Sequence, residues 1–296
     1  CIRDRYEQLD SIFAQTYKNI ELVAVDDCST DNTVSILNEY AVKYKNMRVI
    51  VNQANQGFQK NFEIAISNCL GEFIAPSDQD DVWLPEKIDL LLKAIEGYAM
   101  SYCNSAMMDG SGSQLGKAMS DIWVMQRIND PMSLVMENCV SGHAMLFHRK
   151  LLTRAFPIPS GFFHDWWLAA VASANGGVAY CHQELVHYRQ HAANVTDVLR
   201  ARKTRRNHRS DSEFKRWRDT GNRIAALAEM NGRSYVCLVR LDYLWGKRSV
   251  QWICWSLLWF AIVHRASLWG LKRRSCWQRM FLPFRFFKGM RWSLLI

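Results

Sequence analysis

A chain of 296 residues, 49% of them hydrophobic, can bury one large domain with an appendage or two modest domains. Its nine cysteines are scattered singly without a C-x-x-C pair, which argues against a zinc site or a disulfide framework and is typical of a reducing compartment. The opening "CIRDRYEQLDSIFAQ" has the pattern of a helix interior and no signal-peptide pattern, so we expect the natural N-terminus to lie further upstream.

Charge divides the chain into two parts. Residues 200–296 hold 22 Lys and Arg against 5 Asp and Glu, a net charge of +17, and eight of the twelve Trp. Residues 1–199 carry a net charge of −8. We therefore predict an acidic globular domain over 1–199 and a basic, Trp-rich helical region over 200–296, with different partners for the two parts.

Apolar strands alternate with amphipathic helices along the first hundred residues. We expect Ser29, Thr30 or Asp31 to cap the helix that follows the first strand, and Pro85 to lie at or near the first turn of a later helix. The alternation predicts an α/β domain with a mainly parallel sheet flanked by helices. The predicted strands are 19–27, 47–51 and 72–76, and the predicted helices are 29–44, 58–69 and 84–97.

The later elements are less regular. A helix closed by glycines is predicted over 164–177, and a cationic helix over 201–218. Strands are predicted within 98–109, 139–149 and 177–191.

Carboxylates cluster after two of the predicted strands. Asp26 and Asp27 end one strand, and Asp78, Asp80 and Asp81 follow another. Because ligands of such sheets bind beyond the carboxyl ends of the strands, we expect both groups to converge on one crevice. A hard divalent cation such as Mg²⁺ or Mn²⁺ would neutralise the crowded carboxylates and leave positions open for a diphosphate. The cluster alone is equally consistent with a solvated loop whose Asp residues cap the next helix.

Five segments together resemble family 2 glycosyltransferases of the GT-A fold, which is Rossmann-like. They follow the family's order and cover about residues 3–197. The forms "DQDDVW", "HDWW" and "YRQH" are most similar to bacterial rhamnosyltransferases of surface-polysaccharide (O-antigen) assembly. The segments are "AQTYKNIELVAVDDCSTDNT" (14–33), "NQGFQKNFEIAISNCLGEFIAPSDQDDVWLPEKI" (55–88), "SGHAMLF" (141–147), "HDWW" (164–167) and "HYRQHAANV" (187–195).

The resemblance implies a nucleotide-sugar donor site. Asp26 and Asp27 match the paired acids that hold the nucleotide base and ribose. Asn55 and Gly57 form a turn near the nucleotide, and Arg189 could neutralise phosphate charge.

The resemblance also implies a metal site for Mg²⁺ or Mn²⁺. Asp80 matches the metal ligand of the Asp-x-Asp motif, and Asp78 supports it. Asp81 orients its neighbours or caps the helix. His191 matches a C-terminal His that approaches the metal or the diphosphate, although it could equally be an ordinary strand residue on a half-exposed face.

The acceptor side is implied by the later segments. Asp165 matches the general base at the head of a helix, with a plain helix N-terminal acid as the alternative. Gly142 would let the backbone pass close to the substrate. Trp166 and Trp167 either stack on a sugar ring or belong to the core. His164 stands where the family has a second acid, so only Asp165 is carried over.

These residues imply an inverting transfer of a sugar to a hydroxyl of a lipid-linked or polysaccharide acceptor. Rhamnose is favoured by the resemblance, with galactose or glucose as alternatives. Asp165 would take the proton of the acceptor hydroxyl as the hydroxyl attacks the anomeric carbon. Two other functions remain open: a degenerate nucleotide- or membrane-binding module without turnover, and a metal-dependent phosphohydrolase or nucleotidyltransferase.

One expected element of the family is absent. The first strand and its turn do not occur in this sequence. Because that strand would lie inside the sheet, we expect a gap or an exposed pair of strands there.

The basic C-terminal region has three interpretations. Its longest uncharged run, 249–263, has fifteen residues and is shorter than the roughly 20 needed to span a bilayer. Trp and Phe interleaved with Arg and Lys suit a helix lying on an anionic membrane surface. A helical cap packed on the domain is the alternative, and because we find no nucleic-acid-binding motif we expect no nucleic-acid partner. We expect a cytoplasmic protein, peripheral on the inner face of a bacterial membrane.

Overall fold

The computed structural model describes residues 2–159, 162–190, 209–230, 235–248 and 250–287. Over the first hundred residues its strands and helices alternate as the sequence predicts. The strands in the described part are β1 (Leu22–Asp26), β2 (Met47–Val51), β3 (Phe73–Ile74), β4 (Val82–Trp83), β5 (Met100–Asp109), β6 (Gln114–Ala118), β7 (Met145–His148) and β8 (Val178–Gln190). The α-helices there are α1 (Ile2–Phe13), α2 (Thr33–Lys43), α3 (Phe58–Ser67), α4 (Lys87–Ala94), α5 (Leu152–Ala155), α6 (His164–Ala174), α7 (Arg209–Glu229), α8 (Val236–Arg248), α9 (Trp255–Val263), α10 (Arg265–Trp269) and α11 (Cys276–Phe281).

A small parallel sheet of β1 and β2 opens the domain. Leu22 pairs with Met47 at the start of the two strands. Helix α2 covers the sheet with Ile36, Leu37 and Tyr40, which recur at helical spacing and are buried. The carboxyl end of β1 carries the acidic residues Asp26 and Asp27.

The second sheet has the strand order β3-β7-β5-β8-β4, and β6 pairs with β5. Only β5 with β8 and β1 with β2 are parallel among the described pairings. The prediction of a mainly parallel sheet is therefore wrong, although the α/β class is confirmed. The short turn over residues 110–113 forces β6 to return antiparallel to β5.

The two sheets are separated by a cavity of about 650 Å³, which is lined along its length by β1 and β3. Among the described strands β1 pairs with β2 alone. Its residues Leu22 to Val25 are only half-buried. The predicted gap in the sheet is thus confirmed, and it opens at the carboxyl ends of β1 and β3.

The C-terminal helices share one hydrophobic core with the α/β domain. Leu134 and Trp167 belong to the same cluster of buried residues as Ile224 of α7, Leu241 of α8 and Leu257 of α9. The inner faces of these helices therefore pack on the domain, as the alternative of a helical cap predicts. The predicted boundary at 199/200 and residues 201–208 of the predicted helix 201–218 lie outside the described residues, whereas residues 209–218 of that helix form the start of α7. Among the described helices, none combines the length and hydropathy needed to cross a bilayer.

Candidate active site

Five carboxylates line the end of the cavity where the strands finish. Asp26 is the last residue of β1 and Asp27 follows it, Asp78 and Asp80 follow β3, and Asp165 lies in the first turn of α6. The predicted convergence of the two acidic groups on one crevice is confirmed. The structure adds Asp165 from a third element to the same cleft.

Asp27 organises the turn beside the cleft. Its carboxylate accepts hydrogen bonds from the backbone N–H of Gln56 (2.7 Å) and of Gly57 (2.8 Å), and from Asn52 (2.9 Å). These bonds, that from Gln56 first, lower the pKa of Asp27. Asn55 closes the turn by accepting from the N–H of Gly57, whose positive φ of 83° favours glycine. A charged Asp27 therefore fixes the predicted nucleotide turn.

Asp78, Asp81 and His143 form a compact cluster in which Asp81 and His143 are buried and the Asp78 side chain is 36% exposed. His143 Nδ1 lies 3.5 Å from Asp78 Oδ2 and 3.1 Å from Asp81 Oδ2. Burial alone would lower the pKa of His143, but the negative charge of Asp81 and the contact with Asp78 raise it. Burial raises the pKa of Asp81, whereas the bond and positive charge of His143 outweigh burial and lower the pKa of Asp78.

His143 is held from its other sides as well. Its Nε2 lies 3.0 Å from Ser105 Oγ, and its ring stacks on Tyr188 at 4.5 Å. Its carbonyl oxygen accepts a hydrogen bond of 2.7 Å from Lys87, whose ammonium lies 3.2 Å above the Trp83 ring. Burial lowers the pKa of Lys87 to about 7. Sequence reasoning missed both His143 and Lys87, because their roles depend on contacts between distant segments.

The donor set of this cluster fits a divalent cation. The ligand atoms of Asp78, Asp81 and His143 lie within 4.8 Å of one another. Asp81 Oδ2 is buried and, apart from its contact with His143, has no hydrogen-bond partner among the described residues. Asp80, the metal ligand predicted from the sequence, lines the cleft beside this cluster. Its assignment to the metal stays a prediction, as does that of His191, which lies outside the described residues.

Asp165 stands at the head of α6 beside a confined histidine. Burial raises the pKa of the Asp165 carboxyl, with His164 opposing this shift. His164 is buried and stacks on Phe62 at 4.0 Å. A Cβ added to Gly142 would lie 2.7 Å from His164 Nε2. The absence of a side chain at position 142 therefore makes room for His164. Gly142 also lines the cleft, and its predicted closeness to the substrate stays a prediction.

The two tryptophans that follow Asp165 lie away from the cleft. Trp167 is 5% exposed, and its indole N–H donates to the carbonyl oxygen of Ala155 at 2.6 Å. Trp166 donates to the carbonyl oxygen of Leu134 and packs under the guanidinium of Arg223, 4.4 Å from its ring centroid. Their placement supports the core alternative, and we do not retain them as sugar contacts.

Arg189 is also turned away from the cleft. Its side chain is fully buried and donates to Glu7 at 2.6 Å and to the carbonyl oxygen of Asp80 at 2.9 Å. Its backbone N–H donates to Asp81 at 3.0 Å. Arg189 therefore shapes the acidic loop from behind, which corrects its predicted contact with phosphate.

Arg5 of α1 lines the cleft, whereas Arg189 does not. It is the only Arg or Lys among the described residues that line the cleft. Its guanidinium donates to Gln8 (3.0 Å) and to the carbonyl oxygen of Gln79 (3.3 Å), and its Nε is buried without a hydrogen-bond partner among the residues described. Burial lowers the pKa of Arg5, and Asp80 and Asp26 oppose this. No motif marks Arg5 in the sequence, because it lies on an ordinary amphipathic helix.

The α/β fold, with aspartates gathered at the strand ends, is that of the GT-A class, as the family match and the solved structures show. The family model described as glycosyl transferase family 2 matches residues 6–156, about half of the chain. The chain therefore belongs to glycosyl transferase family 2. An uncharacterized glycosyltransferase of Nostoc sp. is 27% identical over 209 residues, which are 63% of this chain and 60% of that relative. The chain thus spans 60% of the length of this curated relative.

Solved structures share the fold. S. aureus TarS 1–349 in complex with UDP-GlcNAc is similar with a TM-score of 0.55 and 17% identity, covering 81% of this chain and 68% of TarS. The mannosyltransferase PcManGT of Pyrobaculum calidifontis, in complex with GDP-Man and Mn²⁺, has a TM-score of 0.51 and 15% identity, covering 90% of this chain and 68% of that one. At these identities the likeness establishes the GT-A fold alone.

Proposed function

We propose that this chain transfers a sugar, with inversion, from a nucleoside-diphosphate sugar to an acceptor hydroxyl. The observation that carries the proposal is the gathering of five carboxylates from three separate elements around one cleft in a family 2 chain. A helix-capping role would leave these acids dispersed at their own helices. The nucleotide sugars bound to TarS and PcManGT support a nucleotide-sugar donor.

The donor would lie along the ends of β1 and β3. Asp26 and Asp27 would hold the base and ribose, with Asn55 and Gly57 shaping the turn beside them. Arg5 would donate to the diphosphate, because a guanidinium binds phosphate oxygens in a fixed fork geometry. It takes the role that the sequence suggested for Arg189.

A divalent cation, Mg²⁺ or Mn²⁺, would be held at Asp78. Its other ligands would be either Asp80, as the sequence predicts, or Asp81 and His143, as the buried cluster suggests. When bound, the ion supplies positive charge to the leaving diphosphate. The cleft needs such a charge, since a diphosphate entering among these aspartates meets Arg5 as the single Arg or Lys of the described lining.

Asp165 would act as the general base. The raised pKa of its carboxyl, caused by burial, brings it nearer to the operating pH than that of an ordinary aspartate. It would accept the proton of the acceptor hydroxyl, which attacks the anomeric carbon on the face opposite the diphosphate. The sugar configuration inverts in this single displacement.

We propose further that the acceptor is lipid-linked or a polysaccharide, and that the enzyme works on the cytoplasmic side of a bacterial membrane. Rhamnose is the sugar that the sequence motifs favour. These proposals rest on the similarity of "DQDDVW" and "HDWW" to surface-polysaccharide rhamnosyltransferases and on the basic, aromatic C-terminal helices.

A screen of nucleoside-diphosphate sugars with the full chain tests the catalytic proposal. We expect release of nucleoside diphosphate that requires Mn²⁺ or Mg²⁺. Asp165→Asn should abolish release, whereas Asp89→Asn, an aspartate of α4 outside the cleft, should leave it unchanged. Binding of nucleotide without release would favour the degenerate module. Formation of nucleoside monophosphate and sugar 1-phosphate would favour the hydrolase, and formation of nucleoside triphosphate and sugar 1-phosphate when pyrophosphate is added would favour the nucleotidyltransferase.

A further inference from the structure

The C-terminal helices expose an unusual amount of apolar surface. Of the eighteen large hydrophobic side chains exposed in the described residues, twelve lie between Val236 and Phe284. Soluble surfaces rarely gather apolar side chains into contiguous patches unless something covers them. We therefore expect this apolar surface to be a binding surface.

Helix α9 shows how the surface is built. Trp255, Trp259 and Val263 recur every four residues and are 67%, 66% and 58% exposed. Leu257 and Phe260 on the opposite face are buried in the shared core. This nine-residue helix is apolar on both faces. One face packs in the protein core, and the other is exposed and suited to contact a second apolar environment.

A second element continues this outer face. Trp277 and Phe281 of α11 are 71% and 57% exposed, and Phe284 of the following 3-10 turn is 52% exposed. The two elements adjoin where the Trp255 ring meets the ring of Phe287 at 4.8 Å. The outer faces of α9, α11 and this turn are therefore neighbours, and we call them the aromatic face.

The surroundings of the aromatic face are strongly basic. Residues 236–287 contain nine Arg and Lys, and Asp242 is their single acid. Arg265, Arg279 and Arg285 are exposed within or beside the face. Exposed tryptophan beside arginine matches the interface of an anionic bilayer, where indole rings lie at the headgroup level and cations meet lipid phosphates.

We propose that the aromatic face docks the protein on an anionic lipid bilayer by inserting Trp255, Trp259 and Trp277 at headgroup depth. This names the surface behind the proposed membrane location, and it does not depend on catalysis. The short helices lie in the interface plane, since none of those described can span the bilayer. The buried faces of α9 and α10 keep their packing on the domain.

Vesicle flotation of the full chain tests the proposal. We expect binding to phosphatidylcholine vesicles that contain phosphatidylglycerol and much weaker binding to phosphatidylcholine alone. The triple variant W255S/W259S/W277S should bind at least about tenfold more weakly. R279Q/R285Q should lose about fivefold per charge and should reduce the dependence on salt. The matched control V42S/L70S removes apolar side chains that are 74% and 68% exposed elsewhere, and it should bind as the wild type does.

Three outcomes would overturn the proposal. One is equal flotation of the wild type and the tryptophan variant. Another is that the wild type does not float with vesicles but forms a dimer in light scattering, and that the tryptophan variant is a monomer. In that case a second copy of the chain covers the aromatic face. The third is salt-sensitive binding to single-stranded nucleic acid in place of vesicles. Far-ultraviolet circular dichroism and nucleotide binding show that each variant is folded, so flotation measures docking even when the protein is catalytically inactive.

Discussion

Replacing Gly142 by alanine would press a methyl group against His164. The added Cβ would lie 2.7 Å from His164 Nε2. An ordinary contact begins near 3.4 Å, so one group must move by about 0.7 Å. His164 cannot move freely because it is buried and stacked on Phe62. Overpacking of this kind costs about 1–3 kcal/mol. A shift of about 1 Å at the residue next to Asp165 would lower kcat up to about 100-fold.

A double-mutant cycle measures this clash directly. Urea unfolding, followed by tryptophan fluorescence, gives the free energy of unfolding for Gly142→Ala, His164→Ala and the double variant. We expect the cost of Gly142→Ala to fall to within about 0.5 kcal/mol of zero when His164 is alanine, because the methyl group then has space. An equal cost in both backgrounds would refute the steric account, and Gly142 would then serve the substrate as the sequence suggested.

Three further experiments test the cleft and the buried residues beside it. Arg5→Gln should weaken nucleoside diphosphate binding about 10- to 100-fold without affecting the free nucleoside, with exposed Arg3→Gln as control; equal losses for both ligands would exclude a phosphate contact. Lys87 has a pKa of about 7 in the folded protein and about 10.4 in the unfolded chain. Between these pH values the unfolded state binds more protons than the folded state. The free energy of unfolding should therefore rise with pH in this range, by at most about 1.4 kcal/mol per pH unit. Lys87→Met should remove that rise in urea titrations at about pH 7.5 and 9.5, and an unchanged slope would contradict the assignment. Calorimetric Mn²⁺ titrations identify the ligands of the metal. His143→Gln should lower the Mn²⁺ affinity about tenfold or more if His143 is a ligand, and Asp80→Asn should do so if Asp80 is the ligand, as the sequence predicts. Wild-type affinity in both variants would exclude both residues as ligands.

The sequence predicts the positions of the strands and helices better than it predicts which strands pair and in which direction. Strand β2 lies where the sequence predicts it, and the helix heads near Phe58 and His164 agree with prediction, because hydrophobic period and turn residues are local signals. The direction of strand pairing depends on which distant segments meet, so the mixed sheet could not be read from the alternation. Asp26, Asp27, Asp78 and Asp80 were found because strand ends converge by topology, whereas Asp165 was found only through the resemblance carried by "HDWW".

The environment of each candidate residue was beyond the sequence. Arg189 and Arg5 are both arginines near acidic residues, yet one is enclosed behind the acidic loop and the other lines the cleft. Nothing in the motif "YRQH" distinguishes a phosphate contact from an ion pair between a buried Arg189 and a partly exposed Glu7. The same holds for His143, whose neighbours Asp78 and Asp81 lie more than sixty positions earlier in the chain. Such roles follow from three-dimensional packing, which a linear pattern does not record.

Helix α6 connects the two parts that the charge pattern separates. Its first turn carries Asp165 in the cleft, while Trp166 in the same turn lies under Arg223 of α7. Its last turn is held by Tyr235, whose hydroxyl donates to the carbonyl oxygen of Ala174 at 3.0 Å. The C-terminal helices thus position the proposed base as well as the aromatic face. Removing residues 200–296 would therefore impair catalysis and membrane docking together, so only substitutions confined to exposed side chains can separate the two functions.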